Sequence, residues 1–132
     1  MSETIKSFRD LRIWQKGMEL VEKIYKVTGQ FPKAETYGLA AQMQRASVSI
    51  PSNVAEGFRR RHPREYKQYL NISLGSCGEL ETQIEIAKRL GYVGEKVCEE
   101  LVGEIEYVCK MIHTLVKTLV SSLTTHDPRL RT

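Results

Sequence analysis

Apolar residues recur at spacings of three and four along four stretches of the chain, and no stretch alternates with the two-residue rhythm of a strand. The first stretch covers residues 10–28. Leu11, Trp14, Met18, Val21 and Tyr25 form its line, with Ile24 beside them, and are the side chains expected to face inward. Asp10 is placed to cap the start and Gly29 to end it. Gly17 sits in the middle, where glycine costs roughly 1 kcal/mol against alanine, a cost that a close approach by another element would explain.

A short connection, Gln30-Phe31-Pro32, leads to a second helix expected over residues 35–58. Its apolar stripe is Leu39, Met43, Ala46, Ile50, Val54 and Gly57; a polar line follows Gln42, Arg45, Ser49, Ser52, Glu56 and Arg60. Pro51 lacks a backbone donor and crowds the preceding turn. The stripe stays in phase on both sides of it, so the pattern predicts a kink and not a break. Ser47, Ser49 and Ser52 stand near enough to satisfy backbone groups there. Residues 59–62 form a tight basic connection, and Pro63 suits the first turn of a third helix over residues 63–90. Tyr66, Leu70, Ser73, Cys77, Leu80, Ile84 and Ala87 make its main line, while Tyr69, Ile72, Ser76, Gln83, Ile86 and Leu90 make a second. Gly75, Ser76 and Gly78 leave a smooth patch open to another backbone, and Gly91 ends the helix.

The fourth helix is expected over residues 95–123, on a stripe of Val97, Leu101, Ile105, Val108, Ile112, Leu115 and Leu119, widened by Cys98, Val102, Cys109, Val116 and Val120. Short loops between long amphipathic helices predict an all-α, antiparallel up-down-up-down four-helix bundle with a proline-kinked second helix. Residues 1–124 would form the bundle and residues 125–132 a disordered polar tail. The apolar arcs of the third and fourth helices are wider than one core requires. Deep burial and self-association both account for that width.

Composition narrows the class. The chain has 132 residues, one domain's worth, and no apolar run long enough to cross a bilayer. Its first residues lack the basic-then-apolar signature of a secretory signal. Cys77, Cys98 and Cys109 are odd in number, with no CxxC pair. They read as reduced thiols packed like small hydrophobes in a cytoplasmic protein.

The charge is segregated. Residues 58–67 hold five basic side chains (Arg59, Arg60, Arg61, Arg64, Lys67) against Glu65 alone, equal to the net +4 of the whole chain. In the expected topology that turn shares one end with Lys6, Arg9, Arg12, Arg129 and Arg131. The opposite end collects Glu95, Glu99 and Glu100, diluted by Lys88, Arg89 and Lys96. A basic pole attracts phosphate backbones through counterion release; a solvated turn is the plainer reading of the same charges. Tyr66 and Tyr69 beside the cluster are candidates for base stacking or for core packing.

The run Tyr37-Gly38-Leu39, Gln42, Arg45-Ala46 and Ser49-Ile50-Pro51-Ser52-Asn53-Val54-Ala55-Glu56-Gly57 closely resembles the four-helix bundle proteins encoded in bacterial 23S rRNA intervening sequences. Phe8, Leu11 and Trp14 match as well. So do Gly75-Ser76, Glu79-Leu80-Glu81, Gln83, Ile86-Ala87 and Leu90-Gly91-Tyr92. Gly17 departs from the alanine expected there. The resemblance implies a homo-oligomer, typically a pentameric ring, without known enzymatic activity. The chain is also similar to the accessory variability proteins of diversity-generating retroelements, which bind nucleic acid and a reverse transcriptase.

Within that motif, Arg45 and Glu56 lie three helical turns apart and share a face. With Ser49 and Ser52 between them they form a candidate polar seam, either fixing the helix register or holding a partner, while Asn53 is placed to bond carbonyls near Pro51. Catalysis is not indicated. His62, His113 and His126 share no metal-ligand spacing. Glu79, Glu81 and Glu85 lack an accompanying Glu-x-x-His pair, and no phosphate-binding glycine loop is present. No cofactor, metal or membrane partner is expected.

Overall fold

The computed structural model describes residues 4–126, with side chains described over 4–121. Arg129 and Arg131 of the expected basic pole, and the expected tail from residue 127 onward, lie outside the described residues.

The chain does not enter its first helix at Asp10. Ser7 instead caps a 3₁₀ turn, Phe8–Asp10, its Oγ accepting the Arg9 N–H at 3.0 Å. Asp10 closes the turn by accepting the Lys6 and Ser7 N–H groups at 2.9 and 3.1 Å. These backbone donors hold its carboxyl below the usual carboxylate range. Helix α1 then runs Arg12–Thr28 with no side-chain cap.

Its buried face is Ile13, Gly17, Leu20, Ile24 and Thr28. This corrects the expected stripe: Leu11, Trp14 and Val21 are only half-buried, and Met18 and Tyr25 are exposed. Gly17 supplies the reason. It packs on Pro51, where an added Cβ would stand 3.2 Å from the proline Cβ. The glycine therefore turns toward its neighbour and carries the Leu20–Ile24 line inward with it. Thr28, the one polar member, donates to the Ile24 carbonyl at 2.7 Å and accepts from Gln44 Nε2 at 3.0 Å.

Helix α2 spans Leu39–Arg60 and passes unbroken through the buried Pro51. It starts later than residue 35 because Glu35 belongs to a separate 3₁₀ turn, Lys33–Glu35. From there its carboxylate accepts the Leu39 N–H at 3.2 Å and the Tyr92 hydroxyl at 2.9 Å. The helix also takes in Arg59 and Arg60, expected in the connection. It stops at Arg61, which adopts the left-handed conformation with φ 57°. Helix α3, Pro63–Arg89, opens with His62 Nδ1 accepting the Arg64 N–H at 3.2 Å. It closes in a Schellman arrangement, Tyr92 N–H to the Ala87 carbonyl and Gly91 N–H to that of Lys88. Helix α4, Glu95–His126, continues past the expected end at residue 123.

Each helix packs on its neighbours in chain order, with α4 returning to α1. The bundle is therefore up-down-up-down. Leu20, Ile24, Met43, Ile50, Val54, Leu70, Leu80, Ile84, Ile105, Val108 and Ile112 are sealed in its centre. On α4 the core face begins at Cys98, and Val97 is partly exposed. The second apolar line of α3 divides: Gln83 is buried, whereas Ile72, Ile86 and Leu90 face outward. Among the described residues, no atom beyond the helix's own neighbouring backbone comes within 4 Å of the Cβ positions of Gly75 and Gly78.

The α2–α3 seam is the closest. Ser73 donates to the Ile50 carbonyl at 2.9 Å and Ser76 to Ser49 Oγ at 2.8 Å. At Gly57 a Cβ would stand 2.9 Å from both Tyr69 Cβ and Tyr66 Cδ1. A side chain there would force the helices apart just before the basic turn.

Candidate nucleic-acid interface

The last turn of α2, the left-handed Arg61 and the first turns of α3 put Arg59, Arg60, Arg61, Arg64 and Lys67 at one tip of the bundle. The amino-terminal arm reaches the same tip. Phe8 joins the two: the Arg9 guanidinium carbon lies 4.6 Å from its ring centroid and that of Arg59 lies 5.4 Å away. Trp14 supports the ring from α1, with centroids 5.4 Å apart. Two guanidinium groups on one aromatic ring are held close despite like charge, because the ring's negative face attracts both.

Arg60 is fixed more firmly. It lies 5.2 Å from the Tyr69 ring centroid, donates to a tyrosine hydroxyl (that of Tyr69) at 2.9 Å, and pairs with Glu56 at 3.5 Å. Arg61 and Arg64 are exposed, and Lys67 is half-buried. Three acids stand among these cations, and Glu65, exposed in the first turn of α3, is the one that offsets the charge of the tip without an ion pair of its own among the described residues. Asp10 spends its carboxylate on backbone donors, and Glu56 is taken by Arg60. The tip thus presents three guanidinium groups with aromatic rests, those of Arg9, Arg59 and Arg60, suited to bidentate contacts with phosphate oxygens.

Arg12 is not part of the tip cluster. It leans toward α4, its Nε donating to the Tyr107 hydroxyl at 3.1 Å. The tyrosines also separate. Tyr66 turns its ring edge-on to Phe58, centroids 6.2 Å apart, and its hydroxyl is buried without a hydrogen-bond partner among the described residues. Burial pushes that phenol up to about 12. Tyr66 is thus a packing residue, while Tyr69 serves as the rest for Arg60.

The seam read from the motif divides as well. Ser49 is its hub, receiving Asn53 Nδ2 on its carbonyl and hydroxyl at 2.8 and 2.9 Å, with Ser76 on the far side. Glu56 serves Arg60, so Arg45 and Glu56 do not pair. Arg45 is exposed and makes no ion pair or hydrogen bond among the described residues.

Phe8 is the contributor that residue-level reasoning missed. The Phe8-Arg9 step ahead of a Ser7/Asp10 capping box was the available signal, since such a box fixes where the preceding arm points.

The opposite pole is closer to neutral. Lys88 pairs with Glu95 at 3.7 Å and Arg89 with Glu85 at 2.9 Å. Arg89 thereby lowers the Glu85 carboxyl. Among the described residues no three His, Cys, Asp or Glu side chains gather as a metal site, and no helix is long and apolar enough to cross a membrane. Cys77 and Cys98 are buried, and both thiols are raised, Cys77 chiefly by its neighbour Cys109 and Cys98 by burial.

Comparison with solved structures gives a fold match. A protein of unknown function from the S23 ribosomal protein family of Bacteroides thetaiotaomicron superposes with a TM-score of 0.74 at 20% identity. The match covers 80% of this chain and 95% of that one. No curated protein matches the chain. The 23S rRNA-intervening sequence protein family matches residues 9–114, which take in α1, α2, α3, the basic α2–α3 turn and the part of α4 up to residue 114. The chain belongs to the 23S rRNA-intervening sequence protein family.

Proposed function

We propose that the chain acts without catalysis, in the cytoplasm, as a homo-oligomeric bundle whose basic tip holds a nucleic-acid backbone. The observation carrying this reading is the shared Phe8 ring. Arg9 from the arm and Arg59 from α2 meet there, so two segments far apart in sequence form one cationic surface with Arg60, Arg61, Arg64 and Lys67 around it. RNA is the first ligand to test, given the ribosomal insertion in the family's name.

Contacts of this kind position a phosphate chain and carry no base code, so affinity depends steeply on salt and little on sequence. About five neutralised phosphates on a duplex give a log–log slope near −4.5; a fourfold rise in salt then weakens binding about 500-fold. Arg59→Glu, Arg60→Glu and Arg61→Glu together should abolish binding in a fluorescence-anisotropy titration while circular dichroism stays helical. Unchanged affinity would refute the site.

The resemblance implies five subunits per ring. With axes parallel, the tips would combine into a single basic face. A reverse transcriptase is the protein client implied by the same resemblance. Recovery of one protein and no nucleic acid from nuclease-treated extract would replace the present reading with a protein scaffold.

A further inference from the structure

The chain's three cysteines all carry free thiols, and two of them meet. Cys77 stands on the inward line of α3 and is 0% exposed. Cys109 stands on α4, half-buried and packed against the edge of the core. The two helices are packed neighbours, and the Cys77 S–H donates to the Cys109 sulfur across their seam. Cys98 takes no part. It precedes Cys109 by three turns of the same helix, about 16 Å along the axis, and a disulfide tolerates a Cα separation of only about 7 Å.

The pair is chemically unequal. Cys77 is shut away from solvent, and its thiol is raised, first by the bond to Cys109 and then by burial. The same bond favours the Cys109 thiolate and lowers that group, against burial and against Glu81 of α3 and Glu106 of α4 beside it. A thiolate is the nucleophile toward an oxidant, whereas a thiol buried in apolar surroundings is inert to one arriving from solvent. Cys109 is therefore the sulfur that reacts first, and Cys77 is placed to attack the product formed there. The two carboxylates repel anionic oxidants such as glutathione disulfide, which leaves a small neutral peroxide as the fitting reagent.

We infer that Cys77 and Cys109 form a reversible redox pair, which hydrogen peroxide converts into a disulfide bonding α3 to α4. In the first step the Cys109 thiolate attacks a peroxide oxygen. An S–O bond forms, the O–O bond breaks, and the departing hydroxide takes up the proton that Cys109 released. Cys109 is then a sulfenic acid, oxidised by two electrons. In the second step the Cys77 sulfur attacks the Cys109 sulfur. The S–S bond forms, the S–O bond breaks, and the Cys77 proton leaves with the hydroxyl as water. Two thiols and one peroxide thus yield one disulfide and two waters. A dithiol returns both thiols by exchange, so the bond is transient wherever thiols are kept reduced. Lys88 and Glu95 tie α3 to α4 at one pole; the disulfide adds a covalent tie farther along the same seam. The inference stands apart from nucleic-acid binding and from assembly.

Peptide mapping by mass spectrometry tests it on the full chain, treated with a small molar excess of hydrogen peroxide and then alkylated in denaturant. The Cys77 and Cys109 peptides should appear linked within one chain, with Cys98 alkylated. A thiol titration in denaturant should fall from three groups per chain to one, and dithiothreitol should restore all three. The oxidised chain should melt higher by up to about 10 °C, since closing the α3–α4 hairpin restricts the unfolded chain. Cys77→Ala should leave Cys109 as a sulfenic acid that dimedone labels. Cys109→Ser should leave Cys77 reduced and unlabelled, and Cys98→Ser should form the disulfide as the parent does. The mapping of the parent needs no variant, so a misfolded substitution does not close the test. A parent that keeps three thiols, links Cys98, forms only interchain bonds, or carries an oxidised Cys109 beside a free Cys77 would overturn the inference.

Discussion

Replacing Gly57 with alanine tests the closest seam of the bundle. In an exposed helix the exchange would stabilise by about 0.8–1.0 kcal/mol, because alanine restricts the unfolded chain and favours the helix. At Gly57 the new Cβ would lie 2.9 Å from Tyr69 Cβ, 2.9 Å from Tyr66 Cδ1 and 3.2 Å from the Tyr66 carbonyl oxygen. The Tyr66 ring can swing aside. Tyr69 Cβ cannot, since it is fixed to the α3 backbone, so α2 and α3 must separate. Overpacking of this kind costs about 1–3 kcal/mol, which outweighs the propensity gain or at least cancels it. Gly57→Ala is therefore expected to be destabilising by up to about 2 kcal/mol. Gly103→Ala on α4, where no described atom beyond the helix's own backbone stands within 4 Å, should instead be stabilising by up to about 1 kcal/mol. Urea denaturation at one fixed chain concentration reads both, the concentration held because assembly shifts apparent stability. A Gly57→Ala chain as stable as Gly103→Ala would refute the reasoning.

Phe8→Leu should weaken RNA binding about 5–30-fold, because two arginines lose a cation–π rest worth about 0.5–1 kcal/mol each. The salt slope should stay the same, since no charge is removed; a shallower slope in the anisotropy titration would count against the ring's role. Tyr66→Phe removes a buried hydroxyl that has no partner among the described residues, and it should hold or raise stability by about 1 kcal/mol at pH 7. The Tyr66 phenol titrates higher in the folded protein, at about 12. Its contribution is thus complete below the unfolded value near 10 and is lost as pH rises toward 12. Denaturation curves at pH 9 and pH 11.5 should show a smaller alkaline loss in Tyr66→Phe than in the parent.

Helices whose core face has one solution were legible from the residues. On α3 the line from Leu70 through Ser73, Cys77, Leu80 and Ile84 to Ala87 is buried throughout, because no other line of that helix carries as many apolar side chains. On α2 the stripe from Met43 to Gly57 survives Pro51 for the same reason. Helix α1 offers two lines with one period. Leu11, Trp14, Met18, Val21 and Tyr25 are the bulkier set, yet Ile13, Leu20 and Ile24 face the core. Bulk does not decide the matter there. Gly17 does, through a contact with Pro51 that no periodicity within α1 encodes. Helix starts were missed at Asp10 and Glu35 for a related reason. Both carboxylates do cap backbone, but they sit in 3₁₀ turns ahead of the helix and act from outside it.

The basic tip shows which coordinate of a bundle a sequence reveals. Height along the axis follows from helix length and turn position, so the arm, the α2–α3 turn and the Arg59–Lys67 run could be assigned to one end without coordinates. Direction around each axis requires the core face to be known. Choosing the line one residue away rotates a helix by about 100°. That single choice on α1 accounts for Arg12, which belongs at the tip by height but points to Tyr107 on α4. The same rotation leaves Met18 and Tyr25 outward. Arg59 escaped the error because α2 had only one core face, and Phe8 then met it across the tip at 5.4 Å. Candidate sites built from several helices are therefore only as well placed as the least determined helix among them, and here that helix is α1.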